Sequence, residues 1–351
     1  MNPQKPRRLF ADIAKGLGII LVVMEHDHFI NTNHTPVQTI ILSFHMPLFY
    51  FLSGIFFKPQ HSFTTHVSAR FHSLLKPYFS VCLAFAGLLL LKTHDMGLFL
   101  GSAYGIFYGT GRTLHWPYGA LWFLPSLFVT TIFYYFIYRE ILSRFPARWG
   151  RISVMVAMLV TGFWVNRFIR NSTYLPDLPW GINLVLITTF FYAAGYEIRE
   201  YLNRDLSKTK QWGFILAVVA VTGYALLTFS GKAPVLNFFY RRYDSLFLNT
   251  AQALAAIYII VFSSILIEKK SRLFGGAIAF VGQRSLTVFM FHSFFLPYIT
   301  GFLLNYAHFE DGIGRFVLSV SITIVFCLFV HEILSRLPIF SFLILNKRRN
   351  C

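Results

Sequence analysis

The sequence is poor in charged residues, and this excludes the usual water-soluble folds. Only 13% of its 351 residues are Asp, Glu, Lys or Arg, whereas 56% are hydrophobic and 19% are aromatic. Soluble globular domains are about one-quarter charged, and a disordered chain does not carry so much apolar surface. The composition therefore indicates a protein whose solvent is the lipid bilayer.

Cysteine and acidic residues are also scarce. The three cysteines, Cys82, Cys327 and Cys351, lie far apart in the sequence and indicate neither a disulfide framework nor a metal site. Only 14 Asp and Glu stand against 31 Lys and Arg, which gives a net charge of +17. These cations are spread over many connecting segments instead of forming one basic stripe, so we expect no nucleic-acid partner.

Apolar runs near twenty residues long recur along the chain and predict an all-α integral membrane protein with about ten transmembrane helices. The predicted spans are residues 9–28, 38–57, 74–91, 118–138, 152–168, 181–198, 212–230, 247–267, 285–304 and 315–335. No connection exceeds about thirty residues. We therefore expect residues 1–351 to form a single transmembrane domain with no appended soluble domain.

Lysine and arginine accumulate on one side of this arrangement. The amino-terminal segment and alternate connections carry 22 cations, the opposite connections carry eight, and Lys15 falls inside the first span. Because cytoplasmic connections are enriched in Lys and Arg, this asymmetry predicts that both termini are cytoplasmic. On the opposite side we expect Arg315 in a connection, and Arg241 and Arg242 on a solvated rim.

The first predicted span carries the most polar groups, although an ionisable residue at a span centre costs about 2.5–3.5 kcal/mol. Lys15 and His26 are eleven residues apart, so at about 100° per residue they share a helix face, about 16 Å from one another. Asp12 lies three residues before Lys15, and we expect a structural ion pair between them. Glu25 and Asp27 either stabilise a His26 cation or point into water at the end of the span.

The second predicted span places another histidine at a comparable depth. His45 lies in the segment SFHMPLFYFLSG, and we expect Pro47 to loosen the helix just after it. Further polar or amphipathic groups occur at similar depth, namely Trp122, Asn183, Asn249 and Gln252. We expect the spans to enclose a polar cavity in which Trp122, Asn249 and Gln252 bind a substrate. His292, in the ninth span, is more typical of helix packing.

These residues resemble the acyltransferase-3 family of integral-membrane sugar O-acyltransferases, and the resemblance covers nearly the whole chain. Lys15, ten residues and then His26 are similar to the family's opening motif, and FHMPLFYFLSG around His45 is similar to its second-span signature. The opening basic residue is often Arg in the family, and Lys15 resembles the fucose O-acetylase-like branch. Many members carry an Arg pair before the third span, where this chain has Arg70 and Lys76.

The resemblance implies a multi-pass protein of the bacterial inner membrane. It implies transfer of an acetyl group from cytosolic acetyl-coenzyme A (acetyl-CoA) to a sugar hydroxyl of a surface polysaccharide, which is an O-antigen, a capsule or an exopolysaccharide. His26 is then the expected general base and His45 a second catalytic residue, while Lys15, Arg70 and Lys76 bind the donor phosphates.

The intramembrane charges are also compatible with functions other than acyl transfer. The expected partners are acetyl-CoA, a sugar or lipid-linked saccharide, and the membrane lipids; no metal and no permanently bound cofactor is expected. One alternative function is a transporter or flippase for a lipid-linked saccharide. Another is a purely structural or sensory membrane protein, which leaves the placement of the two histidines unexplained.

Overall fold

The computed structural model describes residues 9–33, 35–114, 117–172, 177–203 and 208–345. The α-helices of these residues are α1 (Leu9–His26), α2 (Thr35–Leu42), α3 (His45–Ile55), α4 (Phe63–Arg70), α5 (Lys76–Thr93), α6 (Met96–Tyr108), α7 (Phe123–Glu140), α8 (Arg148–Asn171), α9 (Val185–Ile198), α10 (Lys208–Phe229), α11 (Leu246–Lys270), α12 (Arg272–Gln283), α13 (Ser285–Asn305), α14 (Ile313–Arg336) and α15 (Pro338–Leu343). Short π-helical and 3₁₀ segments join several of these helices, and two short antiparallel strands, β1 (Leu236–Asn237) and β2 (Arg242–Tyr243), pair with each other. The prediction of a helical fold is confirmed.

Nine helical segments among the described residues are long and apolar enough to cross a bilayer. They are Thr35–Ile55, Phe63–Thr93, Gly119–Arg144, Arg148–Asn171, Pro179–Ile198, Gln211–Phe229, Leu246–Lys270, Ser285–Asn305 and Ile313–Arg336. These segments match the nine predicted spans from 38–57 onward. The first predicted span forms the 18-residue helix α1. This helix is not among the nine apolar segments, because it carries three charged residues, Asp12, Lys15 and Glu25. Helices α6 and α12 were not predicted.

The orientation of the chain stays a prediction. Several cations that support it lie outside the described residues, namely Lys5, Arg7, Arg8, Arg204, Lys347, Arg348 and Arg349. The remaining cations retain the same bias toward alternate connections.

The chain divides into two compact units, and the first comprises residues 1–49, 205–233 and 247–328. Within it, α12 packs along α1, with Ile13, Ile278 and Ala279 buried between them. The two backbones come very close where small residues meet. A Cβ atom at Gly16 would overlap the carbonyl oxygen of Ile278, and one at Gly282 would overlap that of Asp12. The hydrogen side chain of glycine is therefore required for this helix pair.

The second unit comprises residues 50–204, 234–246 and 329–351. In it α8 and α9 pack together, α7 packs against α9, and an aromatic cluster surrounds the buried ring of Phe57. The ring centroids of its neighbours lie 4.9 to 6.4 Å from that of Phe57, and the neighbours are His66, Tyr134, Tyr135, Tyr138, Tyr192 and Tyr196. This cluster fills the space beside α7 and α9.

The hairpin formed by β1 and β2 is folded into the second unit, and this corrects one expectation. Arg241, expected on a solvated rim, is only 3% exposed and pairs with Asp177. Its carbonyl oxygen accepts a hydrogen bond of 3.1 Å from Asn166. The turn of the hairpin holds Arg241 in the left-handed region, at φ 56°, and so aims it inward. Arg242 remains exposed, as expected, and pairs with Asp244 at 2.7 Å.

The close contact of α1 and α12 gives a first prediction. Gly282→Ala should lower the free energy of unfolding by about 1–3 kcal/mol, because the added methyl group meets rigid backbone atoms. Gly276→Ala, in the same helix, is the matched control. A Cβ atom there meets nothing within 4 Å, so helix propensity should stabilise this variant by up to about 1 kcal/mol. Unfolding in detergent measures both variants, and equal stability would contradict the helix contact.

Candidate functional site

His26 occupies the last position of α1, and its ring is held in one protonation pattern. Nδ1 lies 2.9 Å from the carbonyl oxygen of Val22, one turn earlier. A carbonyl oxygen only accepts hydrogen bonds, so Nδ1 carries the proton and donates it. In the neutral ring Nε2 is then the unprotonated nitrogen. The side chain keeps 35% of its surface exposed, which leaves room for a reacting group.

Glu25 is the nearest acid to this ring. Its Oε2 lies 2.6 Å from Nδ1 of His26, and its side chain is only 8% exposed. Its other oxygen, Oε1, accepts a hydrogen bond of 3.1 Å from Nε2 of Gln38. The alternative in which Glu25 points into water is therefore wrong. The carboxylate also interacts electrostatically with His45.

His45 begins α3, immediately after a break in the second span. The chain turns at Ser43 and Phe44 between α2 and α3. The helix is therefore interrupted before His45, whereas Pro47 was expected to loosen it after His45. The reason is that Pro47 has no N–H to donate to the carbonyl of Ser43, four residues earlier. His45 is 4% exposed, and its Nδ1 donates to the carbonyl of Ile41 at 3.0 Å.

His292, on α13, packs directly against His26. The two ring centroids lie 4.9 Å apart in an edge-to-face arrangement. His292 is fully buried, and its Nδ1 donates to the carbonyls of Phe289 at 2.9 Å and Val288 at 3.1 Å. Its Nε2 pairs with the hydroxyl of Ser293 at 3.1 Å. His292 therefore packs on the candidate catalytic ring, and its interpretation as a helix-packing residue stays a prediction.

Asp27 and Arg315 form a fully buried ion pair next to His26. Both side chains are 0% exposed, and Nη2 of Arg315 lies 3.0 Å from Oδ1 of Asp27. The same carboxylate accepts hydrogen bonds from Ser319 at 2.6 Å, Thr300 at 3.2 Å and the backbone N–H of Phe29 at 2.9 Å. Every oxygen of Asp27 is thus satisfied inside the protein.

Two expectations are corrected by this pair. Asp27 does not point into water, and Arg315 does not lie in a solvated connection, because each neutralises the other inside the first unit. The sequence shows Arg315 only as an arginine near the start of an apolar run, where a residue at a helix end is ordinarily solvated. Its burial depends on the partner at position 27, which lies far away in the sequence.

Asn249 and Gln252 lie on α11 in the same unit. Asn249 is fully buried and Gln252 is 2% exposed. Nε2 of Gln252 donates to the hydroxyl of Ser43 at 3.4 Å. Its Oε1 is buried and has no hydrogen-bond partner among the described residues. This oxygen is an acceptor that a substrate hydroxyl can satisfy.

The other predicted site residues are placed as follows. Lys15 is half-buried on α1, and the buried Asp12 accepts a hydrogen bond of 3.4 Å from Gln283, so their mutual ion pair stays a prediction. The remaining three belong to the second unit. Arg70 interacts electrostatically with Tyr192, Lys76 lies 4.0 Å over the ring of Phe342, and Trp122 is buried against Phe239. No three His, Cys, Asp or Glu side chains of the described chain are grouped to hold a metal ion.

The buried ion pair gives a second prediction. Arg315→Gln should lower the free energy of unfolding by about 3–5 kcal/mol, because it leaves the Asp27 carboxylate buried without a countercharge. The double variant Asp27→Leu, Arg315→Met removes both charges and should lose less. Arg336→Gln, on the same helix, breaks only the exposed pair with Glu332 and should cost under about 1 kcal/mol. Unfolding in detergent measures all three, and similar losses for Arg315→Gln and Arg336→Gln would contradict the buried pair.

Comparison with known proteins identifies the family of the chain. A family model described as an acyltransferase domain matches residues 8–332, which is nearly the whole chain. No curated protein and no solved structure matches. The match spans α1 with His26, α3 with His45 and α13 with His292. The chain belongs to the acyltransferase-3 family and is a membrane acyltransferase.

Proposed function

We propose that this acyltransferase moves an acetyl group from acetyl-CoA to a sugar hydroxyl of a bacterial surface polysaccharide, at the cytoplasmic membrane. The observation that carries the proposal is the state of His26. Its Nδ1 proton is donated to the carbonyl of Val22, so in the neutral ring Nε2 presents a lone pair on a side chain that remains partly exposed. This is the form of imidazole that a general base requires.

The reaction needs a base because a neutral sugar hydroxyl is a weak nucleophile. Nε2 of His26 takes the hydroxyl proton while the sugar oxygen attacks the carbonyl carbon of the thioester. A C–O bond forms, the C–S bond breaks, and the electron pair leaves with the sulfur of coenzyme A. The imidazolium then returns its proton to that thiolate, so that the enzyme ends in its starting form.

Glu25 supports the charged stage of this cycle. Its Oε2 lies 2.6 Å from Nδ1 of His26, on the side of the ring away from the reacting nitrogen. When Nε2 takes a proton the ring becomes a cation, and a buried carboxylate at this distance stabilises it. His292, whose ring edge packs on His26, limits rotation of the imidazole. Glu25 and His292 therefore act as positioning residues.

His45 and Gln252 are the proposed contacts of the sugar. His45 has the same pattern as His26, with Nδ1 donating to a backbone carbonyl, so the neutral ring can accept at Nε2 a hydrogen bond from a second hydroxyl of the acceptor. Gln252 offers the buried Oε1 that lacks a partner among the residues described. An unmatched buried acceptor costs about 1–3 kcal/mol, and a bound hydroxyl removes that cost. Asn249 and Trp122 are the further proposed sugar contacts.

Lys15, Arg70 and Lys76 are the proposed cations for the phosphates of the donor. All three lie on the side that the distribution of Lys and Arg predicts to be cytoplasmic, which is where acetyl-CoA is available. Arg70 and Lys76 are half-buried at the ends of α4 and α5. Their position near the membrane interface suits a ligand that is polyanionic at one end and carries an extended arm.

The base assignment is tested by His26→Ala. We expect a loss of acetyl transfer of about 10²- to 10⁴-fold, because proton transfer by a positioned side chain contributes that much. Mass spectrometry of surface glycan from complemented cells measures the acetyl group. His28→Ala is the matched control, since His28 is exposed two residues further on, and should retain activity. Normal acetylation by a folded His26→Ala protein would refute the proposal.

The donor site is tested by acetyl-CoA binding to the purified protein. Lys15→Ala, Arg70→Ala and Lys76→Ala should each weaken binding by about tenfold, as expected for one charge-assisted contact. Lys270→Ala removes an exposed cation at the end of α11 and should leave the dissociation constant unchanged. Unaltered binding in all three variants would refute the role of these cations while leaving the role of His26 intact.

A further inference from the structure

A cavity of about 420 Å³ lies in the second unit where α7 and α9 end and α8 begins. Its volume falls within the range of about 300–1,000 Å³ that is usual for small-molecule sites. The charged side chains of its wall are Arg148, Arg151, Arg199, Glu197 and Glu200, so the arginines outnumber the glutamates, and its rings include Tyr196 and Tyr201. The distribution of Lys and Arg predicts that this end of the unit faces the cytoplasm.

One wall of the cavity is built to attract an anion. Arg151 is neutralised by Glu197, whose Oε2 accepts from Nε at 3.1 Å and from Nη2 at 3.0 Å. Arg148 instead lies over the ring of Tyr201, 4.6 Å from its centroid, and has no carboxylate partner in the described part of the chain. Helix α8 begins at Arg148, and Ala147 before it has no side chain that can cap the first N–H groups. The positive end of the helix therefore adds to the charge of Arg148.

The other walls offer aromatic faces and one acceptor. The guanidinium of Arg199 lies 3.7 Å over the ring of Tyr196, and Tyr201 is 39% exposed. Oε1 of Glu197 is buried and has no hydrogen-bond partner among the described residues. A ligand that satisfies this cavity thus carries a phosphate, a planar ring and an N–H or O–H donor.

We propose that this cavity binds the nucleotide end of acetyl-CoA, which has these three features, and the proposal rests on the proposed function. The phosphate on the ribose contacts Arg148 and the start of α8, the adenine packs on Tyr201, and a ribose hydroxyl or the adenine amine donates to Glu197. A phospholipid headgroup supplies a phosphate but no planar ring, so the aromatic faces favour the nucleotide.

The surroundings of the cavity fit the rest of the donor. Tyr138 and Tyr196 belong both to the cavity wall and to the aromatic cluster around Phe57. Tyr192 of the same cluster interacts electrostatically with Arg70. Arg70 thus interacts with the aromatic cluster that borders the cavity, and it is the proposed contact of the pyrophosphate.

The test compares coenzyme A with dephospho-coenzyme A, which lacks the phosphate on the ribose, using the full chain in lipid nanodiscs. Arg148→Gln and Tyr201→Ala should each weaken coenzyme A binding by about tenfold. Arg148→Gln should also abolish the preference for coenzyme A over the dephospho compound. Arg144→Gln is the matched control, because Arg144 is 72% exposed on the same connection and forms an ion pair with the exposed Glu140. Its affinity should change by less than about twofold.

The outcomes separate this proposal from the proposed function. If wild-type protein binds coenzyme A and both cavity variants bind it equally well, the cavity proposal is overturned and the acetyl transfer stands. If wild-type protein neither binds the donor nor transfers acetyl groups, the proposed function fails as well. Nanodiscs with and without phosphatidylglycerol provide the last arm. If Arg148→Gln loses only the stabilisation that phosphatidylglycerol gives to the protein, the cavity binds a lipid headgroup, and the proposal of a nucleotide site is overturned.

Discussion

The buried ion pair of Asp27 and Arg315 is the interaction on which the candidate site depends. Charges without water are tolerated only when they are paired and fully hydrogen-bonded, and Ser319 and Thr300 complete the set around Asp27. The pair ties the residue that follows His26 to α14, while Glu25, before it, is tied to Gln38. The histidine is thus held between two anchored neighbours, which fixes where its ring can be.

A second constraint comes from the backbone. His26, His45 and His292 each donate Nδ1–H to a carbonyl three or four residues earlier in the chain. A histidine in an apolar bundle must satisfy its ring N–H, and the carbonyl one turn back is the partner always within reach. The same hydrogen bond satisfies the buried ring N–H and leaves the lone pair of a neutral ring on the opposite nitrogen, where it can act as a base.

The sequence predicts the membrane-embedded fold well because apolar length is a local property. The nine apolar segments follow from counting residues along the chain, and so does a first helix that carries both Lys15 and His26. Burial of Arg315 and Arg241 does not, because each depends on an acid distant in sequence. The break at Ser43 was also misplaced by a few residues, since the missing N–H of Pro47 acts four positions upstream. Helix α12 is not predicted because it is too short for a span, yet it packs along α1.

The bond from His26 to Val22 has one more consequence. Val22 lies in the last turn of α1, so the geometry of that turn sets where the acceptor of Nδ1 lies. Oε2 of Glu25 is a second acceptor, 2.6 Å from the same nitrogen. Both favour a proton on Nδ1, so the neutral ring keeps its lone pair on Nε2, where the proposed chemistry needs it.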